Sequence, residues 1–256
     1  MRPFQLWDGN LTRDAYKAMV LQLNPDDYEA EQAIRMAVEA RAARNIRKGL
    51  REWLREVMPA NMTEAELSMW EYRLQNGKAK FRDVLSIALQ DSVDLGVNVA
   101  IDQFESVGFG FDWTLANTSA RNWAERYTDD LLAGITNTTR RGVGQAVARW
   151  TENGEPLPSL IKDLEPLFGK QRAELIASTE VTRAYAEGNR IAYRESGVVD
   201  EIEWRTAKDE RVCPICGPLD GKQRRFGEPF DIGIDAPPAH PRCRCWVVPV
   251  IAERKQ

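Results

Sequence analysis

Histidine is almost absent from this 256-residue chain, which has a single one at position 240. No Ser-His-Asp constellation is recognised around this one residue, and an HExxH metal motif, which needs two histidines, is absent. Phosphate-binding glycine loops are also lacking, since Gly142 and Gly144 lie inside a helical pattern that no strand precedes. We therefore expect no catalytic residues and no enzymatic activity.

Long apolar runs and an excess of positive charge are missing too. No uninterrupted run of about 18 apolar residues occurs, which argues against a membrane span and a membrane partner. The first 16 residues have no apolar core of the kind a signal peptide carries, so we expect the chain to stay in the cytoplasm of its host. The formal net charge of −4 argues against a generally basic nucleic-acid-binding protein, although a local basic face remains possible.

The cysteines are few and tightly clustered. All four, together with the one histidine, lie between positions 213 and 245. In a reducing compartment such clustering favours metal binding over disulfides. Cys213 and Cys216 form a C-x-x-C pair, and His240-x-x-Cys243 with Cys243-x-Cys245 supplies the second half of a zinc knuckle. We predict a structural Zn²⁺ in this segment.

The segment offers five candidate ligands, whereas a structural zinc takes four. Our preferred set is Cys213, Cys216, His240 and Cys243, with Cys245 packing beside the site or substituting for one of them. A catalytic zinc would need an open coordination position, which five candidates leave no room for. Two alternatives stay open: buried cysteines with no metal, and a disulfide framework.

Most of the remaining sequence predicts helices. The first helix begins at Asn24-Pro25 and ends at Met58 before Pro59. A capping box at Thr63–Glu66 opens a shorter helix that should end near Gly77, and a third covers about 79–104. Further helices are predicted at 119–150, 159–168 and 170–196. The helical pattern of the first of these is weakened near Gly142. Strands are predicted at 198–206 and 246–251, and 108–113 is interpreted as a hinge.

The first helix has two distinct faces. Its apolar residues recur every three or four positions and predict a buried stripe: Ile34, Val38, Ala42, Ile46, Leu50, Trp53 and Val57. Basic residues recur with the same spacing on the opposite face: Arg41, Arg44, Lys48, Arg51 and Arg55. Such a face is usually only solvated. The alternative is a site for an anionic partner, either packaged DNA or an acidic protein surface.

Several motifs of the C-terminal third recur in a known family. They are TEVTRAYAEG at 179–188, SG at 196–197, EWRTA at 203–207, DERVCPIC at 209–216, LDGK at 219–222, EPF at 228–230 and PPAHPRCRC at 237–245. In this order they resemble the phage Mu F-like head-morphogenesis family. The resemblance covers about 170–250, and the helical first half is compatible with the family only in length and pattern.

The resemblance implies a minor capsid protein of a tailed bacteriophage or prophage. Such proteins join the procapsid, stay inside the head of the virion near the portal, and assist assembly, DNA packaging or ejection. The implied partners are the portal protein, the major capsid or scaffolding protein, and genomic double-stranded DNA. Two other functions compete: a zinc-ribbon adaptor that binds nucleic acid, and an enzyme resembling ADP-ribosyltransferases.

The predicted fold class is mainly α with a small C-terminal α+β subdomain, in which a zinc-knuckle-like knot lies between two short strands. We divide the chain into a helical N-terminal region (1–107), a helical middle region (108–169) and a Mu F-like C-terminal domain (170–256). The last of these contains the metal-binding segment 213–245.

Overall fold

The computed structural model describes residues 28–106, 112–207 and 209–251. Five α-helices precede a small sheet. The helices are α1 (Tyr28–Val57), α2 (Trp70–Ser106), α3 (Thr114–Asn153), α4 (Leu157–Phe168) and α5 (Lys170–Ser196). The strands are β1 (Val199–Arg205), β2 (Gln223–Arg225) and β3 (Trp246–Ile251). The predicted fold class, mainly helical with a small C-terminal sheet, is confirmed.

The amphipathic character of α1 is confirmed. All seven residues of its predicted apolar stripe are buried, and Trp53 stacks on Phe81 of α2 with ring centroids 5.4 Å apart. The helix ends at Val57, just before Pro59, as the sequence predicts. The predicted start at Asn24-Pro25 lies outside the described residues.

The predicted end of the second helix near Gly77 is wrong. The capping box forms, because Glu66 Oε2 accepts from the Thr63 backbone N–H at 2.9 Å, but it opens a 3-10 helix (Glu64–Met69) that leads directly into α2. Gly77 lies within α2, where a Cβ atom would come 2.7 Å from Trp53 Cδ1. The glycine therefore permits close packing of two helices rather than a turn. Likewise α3 runs unbroken through Gly142, which packs against Leu167 of α4.

Helices α2 and α5 cross with their backbones in contact. A Cβ at Gly96 would lie 2.1 Å from the Tyr185 carbonyl oxygen, and one at Gly188 would lie 2.2 Å from the Val93 carbonyl oxygen. No side chain fits at either position without moving a backbone. This crossing ties a helix from before the predicted hinge to one from after it. Residues 108–111 of that hinge lie outside the described residues, and the domain boundaries stay a prediction.

The sheet is antiparallel with strand order β2-β1-β3. Glu203 of β1 pairs with Gln223 of β2 on one side and with Val248 of β3 on the other. The predicted strands 198–206 and 246–251 are confirmed as β1 and β3. The three-residue β2 was missed, since its sequence Gln-Arg-Arg has no apolar alternation. The sheet places both ends of the cysteine segment side by side on α5.

The buried side chains form two clusters. One lies within the helices and includes Trp53, Phe81 and Phe168. The second joins α2, α3 and α5 to the sheet and the cysteine segment, and includes Trp204 and Phe230, whose rings meet edge to face at 5.2 Å. Cys216, Cys243 and Cys245 belong to this second cluster. The cysteine segment therefore extends the second cluster and contributes no cysteine to the first.

The sequence analysis argued against a membrane-spanning helix because it found no long apolar run. The structure weakens that argument. The helical stretch Glu64–Glu105 contains an 18-residue window with a mean hydropathy of 1.4, and half of that window is buried in the fold. By length and composition this stretch could cross a membrane. However, α2 packs against α1, α3 and α5, which is the arrangement of a core helix in a helical bundle.

Candidate metal centre

The five candidate ligands converge at one end of the second cluster. Cys213 and Cys216 lie on the loop after β1, where Cys216 precedes a short 3-10 helix (Gly217–Leu219). His240, Cys243 and Cys245 lie on the segment that leads into β3. Because β1 and β3 are paired, the loop that leaves β1 meets the segment that enters β3. We call residues 209–245 the knot.

The ligand atoms lie close together, and one sulfur–sulfur distance matches a tetrahedral zinc site. Cys213 Sγ lies 3.0 Å from His240 Nε2, Cys216 Sγ lies 3.4 Å from the same nitrogen, and Cys216 Sγ lies 3.8 Å from Cys243 Sγ. Two thiolates about 2.3 Å from a tetrahedral zinc are separated by about 3.8 Å. The ligand atoms fall into two groups that share Cys216: Cys213, Cys216 and His240, and Cys216, Cys243 and Cys245. Within each group all ligand atoms lie within 4.8 Å of one another.

Each half of the site is a tight turn. In the first half, the Cys216 backbone N–H donates to Cys213 Sγ at 3.3 Å and the Gly217 N–H donates to the Cys213 carbonyl at 2.9 Å. In the second half, the Cys243 N–H donates to the His240 carbonyl at 3.1 Å. Arg242, inside that turn, has a left-handed backbone with a φ of 63°, which is uncommon for a non-glycine residue.

The helix α5 holds the second turn in place. The Thr182 hydroxyl donates to the Cys243 carbonyl at 2.7 Å in a buried position, and Thr179 Oγ1 accepts from the Arg242 backbone N–H at 3.1 Å. Both threonines belong to the TEVTR sequence, one helical turn apart on one face of α5. This motif therefore positions the ligands of the candidate metal site.

The helix α1 reaches the same segment through Arg35. Its guanidinium donates to the carbonyls of Arg244 and Cys245, the latter at 3.4 Å. The guanidinium carbon lies 5.5 Å from the ring centroids of both Tyr185 and Trp246. Arg35 is only 6% exposed, so these carbonyls and aromatic rings compensate the charge that burial would otherwise penalise.

An ion pair links the two halves of the knot. Arg244 donates from both terminal nitrogens to Asp209, at 2.7 and 2.8 Å. Asp209 precedes the first cysteine, whereas Arg244 lies between the last two. The hydrogen bonds from Arg244 lower the pKa of Asp209 to about 2.

The sequence did not predict which side chains hold the ligands in place: Arg35, Thr179, Thr182 and Asp209. Nothing local marks the positioning role of a residue whose partner is distant along the chain.

The thiols are set up to share a cation. Burial raises the pKa of Cys213, but hydrogen bonds from Cys216, chiefly from its backbone N–H, outweigh burial and lower it below the usual value. Hydrogen bonds from Cys216 and Cys245 also lower the pKa of Cys243. The pKa of Cys216 is raised instead, chiefly by its hydrogen bond with Cys243, and that of Cys245 is raised as well. The four thiols could therefore all ionise only with a cation between them, because thiolates this close together repel one another in a buried site. The donor set therefore fits a thiophilic metal ion.

The space among the ligands is small. The cavity that all five line has a volume of about 20 Å³, about that of one water-sized probe. Cys213 and His240 lie at its partly exposed side, whereas Cys216, Cys243 and Cys245 are buried. The ligand set Cys213, Cys216, His240 and Cys243 stays a prediction. Cys245 is buried, and its Sγ lies within 4.8 Å of the sulfurs of Cys216 and Cys243.

The basic face of α1 separates into two parts. Arg44, Lys48, Arg51 and Arg55 are exposed. Arg41 is instead half-buried and pairs with Asp91 of α2 at 2.7 Å, so it helps hold two helices together. The sequence treated all five as equivalent, and the proposed anionic partner remains a prediction.

Residues 141–248 match the family model described as Phage Mu protein F like protein. This confirms the resemblance over the end of α3, helices α4 and α5, and the whole knot. It also extends the resemblance toward the N-terminus, from about 170 to 141. Comparisons with curated proteins and with solved structures give no match. A family of phage head-morphogenesis proteins is thus indicated for the part of the chain that contains the candidate metal centre.

Proposed function

We propose that this protein is a minor capsid protein of a tailed bacteriophage or prophage, which enters the procapsid and stays inside the head near the portal. The observation that carries the proposal is that the family match at 141–248 spans the complete knot, together with its anchoring helix α5, strand β1 and the first half of β3. In this function the chain acts by binding other head components rather than by turnover.

A structural Zn²⁺ is the second part of the proposal. The convergence of four thiols and one imidazole, with a sulfur–sulfur distance of 3.8 Å, supports it. Among the described residues between β1 and β3, the only regular elements are a three-residue strand and a three-residue 3-10 helix. A metal ion would supply the cross-link that so little regular structure cannot provide.

The number of candidate ligands favours a bracing role over a catalytic one. Catalytic zinc keeps a position open to water or substrate, whereas five candidate ligands surround a cavity of about 20 Å³ here. We therefore propose a non-enzymatic function. An ADP-ribosyltransferase-like activity would contradict it, and NAD consumption by the purified protein is the direct assay for that alternative.

The proposed partners are the portal protein, the major capsid or scaffolding protein, and the genomic DNA. The chain would be present in the host cytoplasm during assembly and in the virion afterwards. A role in packaging or ejection follows from the proposed location, since the genome passes through the portal in both steps.

The test is quantitative mass spectrometry of purified procapsids and mature heads, scored as copies of this chain per portal ring. We expect a small fixed number. Particles carrying Cys216→Ser should contain fewer copies, whereas the exposed variant Gly134→Ala should leave the number unchanged. Absence of the wild-type chain from both procapsids and heads would contradict the proposal.

A further inference from the structure

The exposed basic residues of α1 do not stand alone in the structure. A groove of about 410 Å³ separates α1 from the knot, and basic side chains line both walls. Arg44 and Arg47 lie on the α1 side, Lys170 lies at the start of α5, and Arg211, Arg242 and Arg244 lie on the knot. We call this the basic groove.

The basic groove continues along α1. A second concavity of about 320 Å³ shares Arg44 and Arg47 with the first and adds Lys48, Arg51 and Arg55. The lining of both parts runs from Met36 to Arg55 along the helix. At 1.5 Å per residue, this track is about 28 Å long. It is therefore an extended surface rather than a pocket for a small anion.

Positive charge dominates the track. The two concavities are lined by nine basic residues and by three acidic ones, Glu39, Glu52 and Glu174, in a chain whose net charge is −4. Some of the basic groups are neutralised locally, since Arg211 and Arg244 pair with Asp209 and Lys170 pairs with Glu174. Within the described part of the chain, six others make no ion pair: Arg44, Arg47, Lys48, Arg51, Arg55 and Arg242.

Arg47 lies where the two parts of the basic groove meet. Its Nε is buried and has no hydrogen-bond partner among the described residues. This buried atom is out of reach of a ligand, but Arg47 as a whole is only partly buried and makes no ion pair within the described residues. Its guanidinium therefore adds positive charge where the two parts of the groove meet, in a planar fork that matches phosphate or carboxylate oxygens.

We propose that the basic groove binds the phosphate backbone of duplex DNA and that the metal-braced knot forms one of its walls. This inference rests on the proposed function, which places the protein beside the packaged genome. Duplex DNA presents phosphates continuously along its axis. It can therefore contact basic side chains along the whole length of the groove. Among the described residues, no aromatic side chain lines either concavity, so this part of the groove lacks the stacking platforms typical of single-strand binding.

The metal site should set the position of the knot wall. Arg211 lies two residues before Cys213, and Arg242 and Arg244 flank Cys243. The turn between His240 and Cys243 fixes Arg242 in its left-handed conformation. Without the metal ion, three of the nine basic side chains would lose their fixed place opposite α1. DNA affinity should thus depend on the metal, although no metal ligand contacts the DNA.

The experiment measures binding of the full-length protein to a fluorescent 30-base-pair duplex by anisotropy at several salt concentrations. Arg44→Ala combined with Arg51→Ala should weaken binding by about tenfold or more at about 100 mM salt and reduce the salt slope by about 2. The matched control is Arg141→Ala with Arg149→Ala, two exposed arginines of α3 outside the groove. The control should bind as tightly as the wild type.

Metal dependence is tested with the same duplex. Arg242→Ala should weaken binding by the metal-loaded protein about threefold or more and have little further effect after chelation. Equal Arg242→Ala effects in both states would overturn the coupling. Tighter binding of a single strand, or equal binding of poly-glutamate with the same arginine dependence, would overturn the duplex assignment. These assays use no particles. A negative result would therefore contradict DNA binding by the groove, while the copy-number test would still decide the proposed function separately.

Discussion

The helical bundle and the knot are stabilised in different ways. The bundle buries large side chains from several helices, with Trp53 between Phe81 and Phe168. The knot buries five apolar side chains, and three of these are Cys216, Cys243 and Cys245. A region that lacks core of its own must be cross-linked or docked onto a neighbour. In the knot, three of the candidate metal ligands are therefore also core residues.

The largest expected effect comes from removing the metal. Structural zinc sites contribute apparent free energies of about 10 kcal/mol or more, so a strong chelator or Cys216→Ser should unfold the knot while the helices remain. Trypsin should then cleave after Arg211, Arg224 and Arg242, with little change in far-UV circular dichroism. Unchanged cleavage in both cases would mean that the two regions do not differ as described.

The bundle should be most sensitive at the crossing of α2 and α5. Gly96→Ala places a methyl group within about 2 Å of the Tyr185 carbonyl oxygen, and we expect a loss of about 3 kcal/mol or more in the free energy of unfolding. The control is Gly134→Ala, where nothing lies within 4 Å of the new Cβ. That exposed helical position should gain up to about 1 kcal/mol. Urea denaturation monitored by circular dichroism measures both, and equal effects would contradict the crossing geometry.

The junction between the two regions depends on Thr182. Thr182→Val keeps the shape but leaves the buried Cys243 carbonyl without its donor, which should cost about 1–3 kcal/mol. Thr118→Val removes an exposed hydroxyl that bonds only within its own helix and should change stability by less than about 0.5 kcal/mol. If Thr182→Val behaved like its control in thermal denaturation, α5 would not anchor the knot.

The smallest expected effect is a pH dependence within the bundle. Burial, with a contribution from Glu105, raises the pKa of Asp102 to about 6 from 3.8, and its Oδ2 is buried without a hydrogen-bond partner among the described residues. A raised carboxyl pKa means that stability falls as pH rises from about 4 to 6 and stays lower above that range.

Asp102→Asn should remove this penalty. Because the group is about half-buried, we expect a gain of only about 1 kcal/mol at pH 7.5 and none near pH 4. The exposed variant Asp83→Asn is the control at both pH values. A gain of the same size at pH 4 would show that ionisation of Asp102 is not responsible.

The sequence predicts elements well where the signals are local. Helix α5 has the predicted limits because its apolar pattern is unbroken and Gly197 ends it with a φ of 66°. Gly77 misled the prediction because its role depends on Trp53, which lies on another helix. The three residues of β2 are ordered by pairing with β1 and have no strand pattern of their own.

The candidate site divides in the same way. The candidate ligands could be predicted from the sequence because cysteine and histidine are rare in this chain and have the spacing of a metal site. The side chains that position them could not, since Arg35 contacts a carbonyl 210 residues away and Thr182 one 61 residues away. The basic groove exists only because the fold brings α1 and the knot together. The sequence indicated the basic residues on α1 but not those on the knot.

The measurement that tests the central claim most directly is native mass spectrometry of the full-length protein purified without chelators, with elemental analysis of the bound metal. We predict one zinc ion per chain, reduced in Cys213→Ser and Cys216→Ser and retained in Gly134→Ala. A metal-free chain whose knot nevertheless resists trypsin would contradict the claim that a metal ion braces this region.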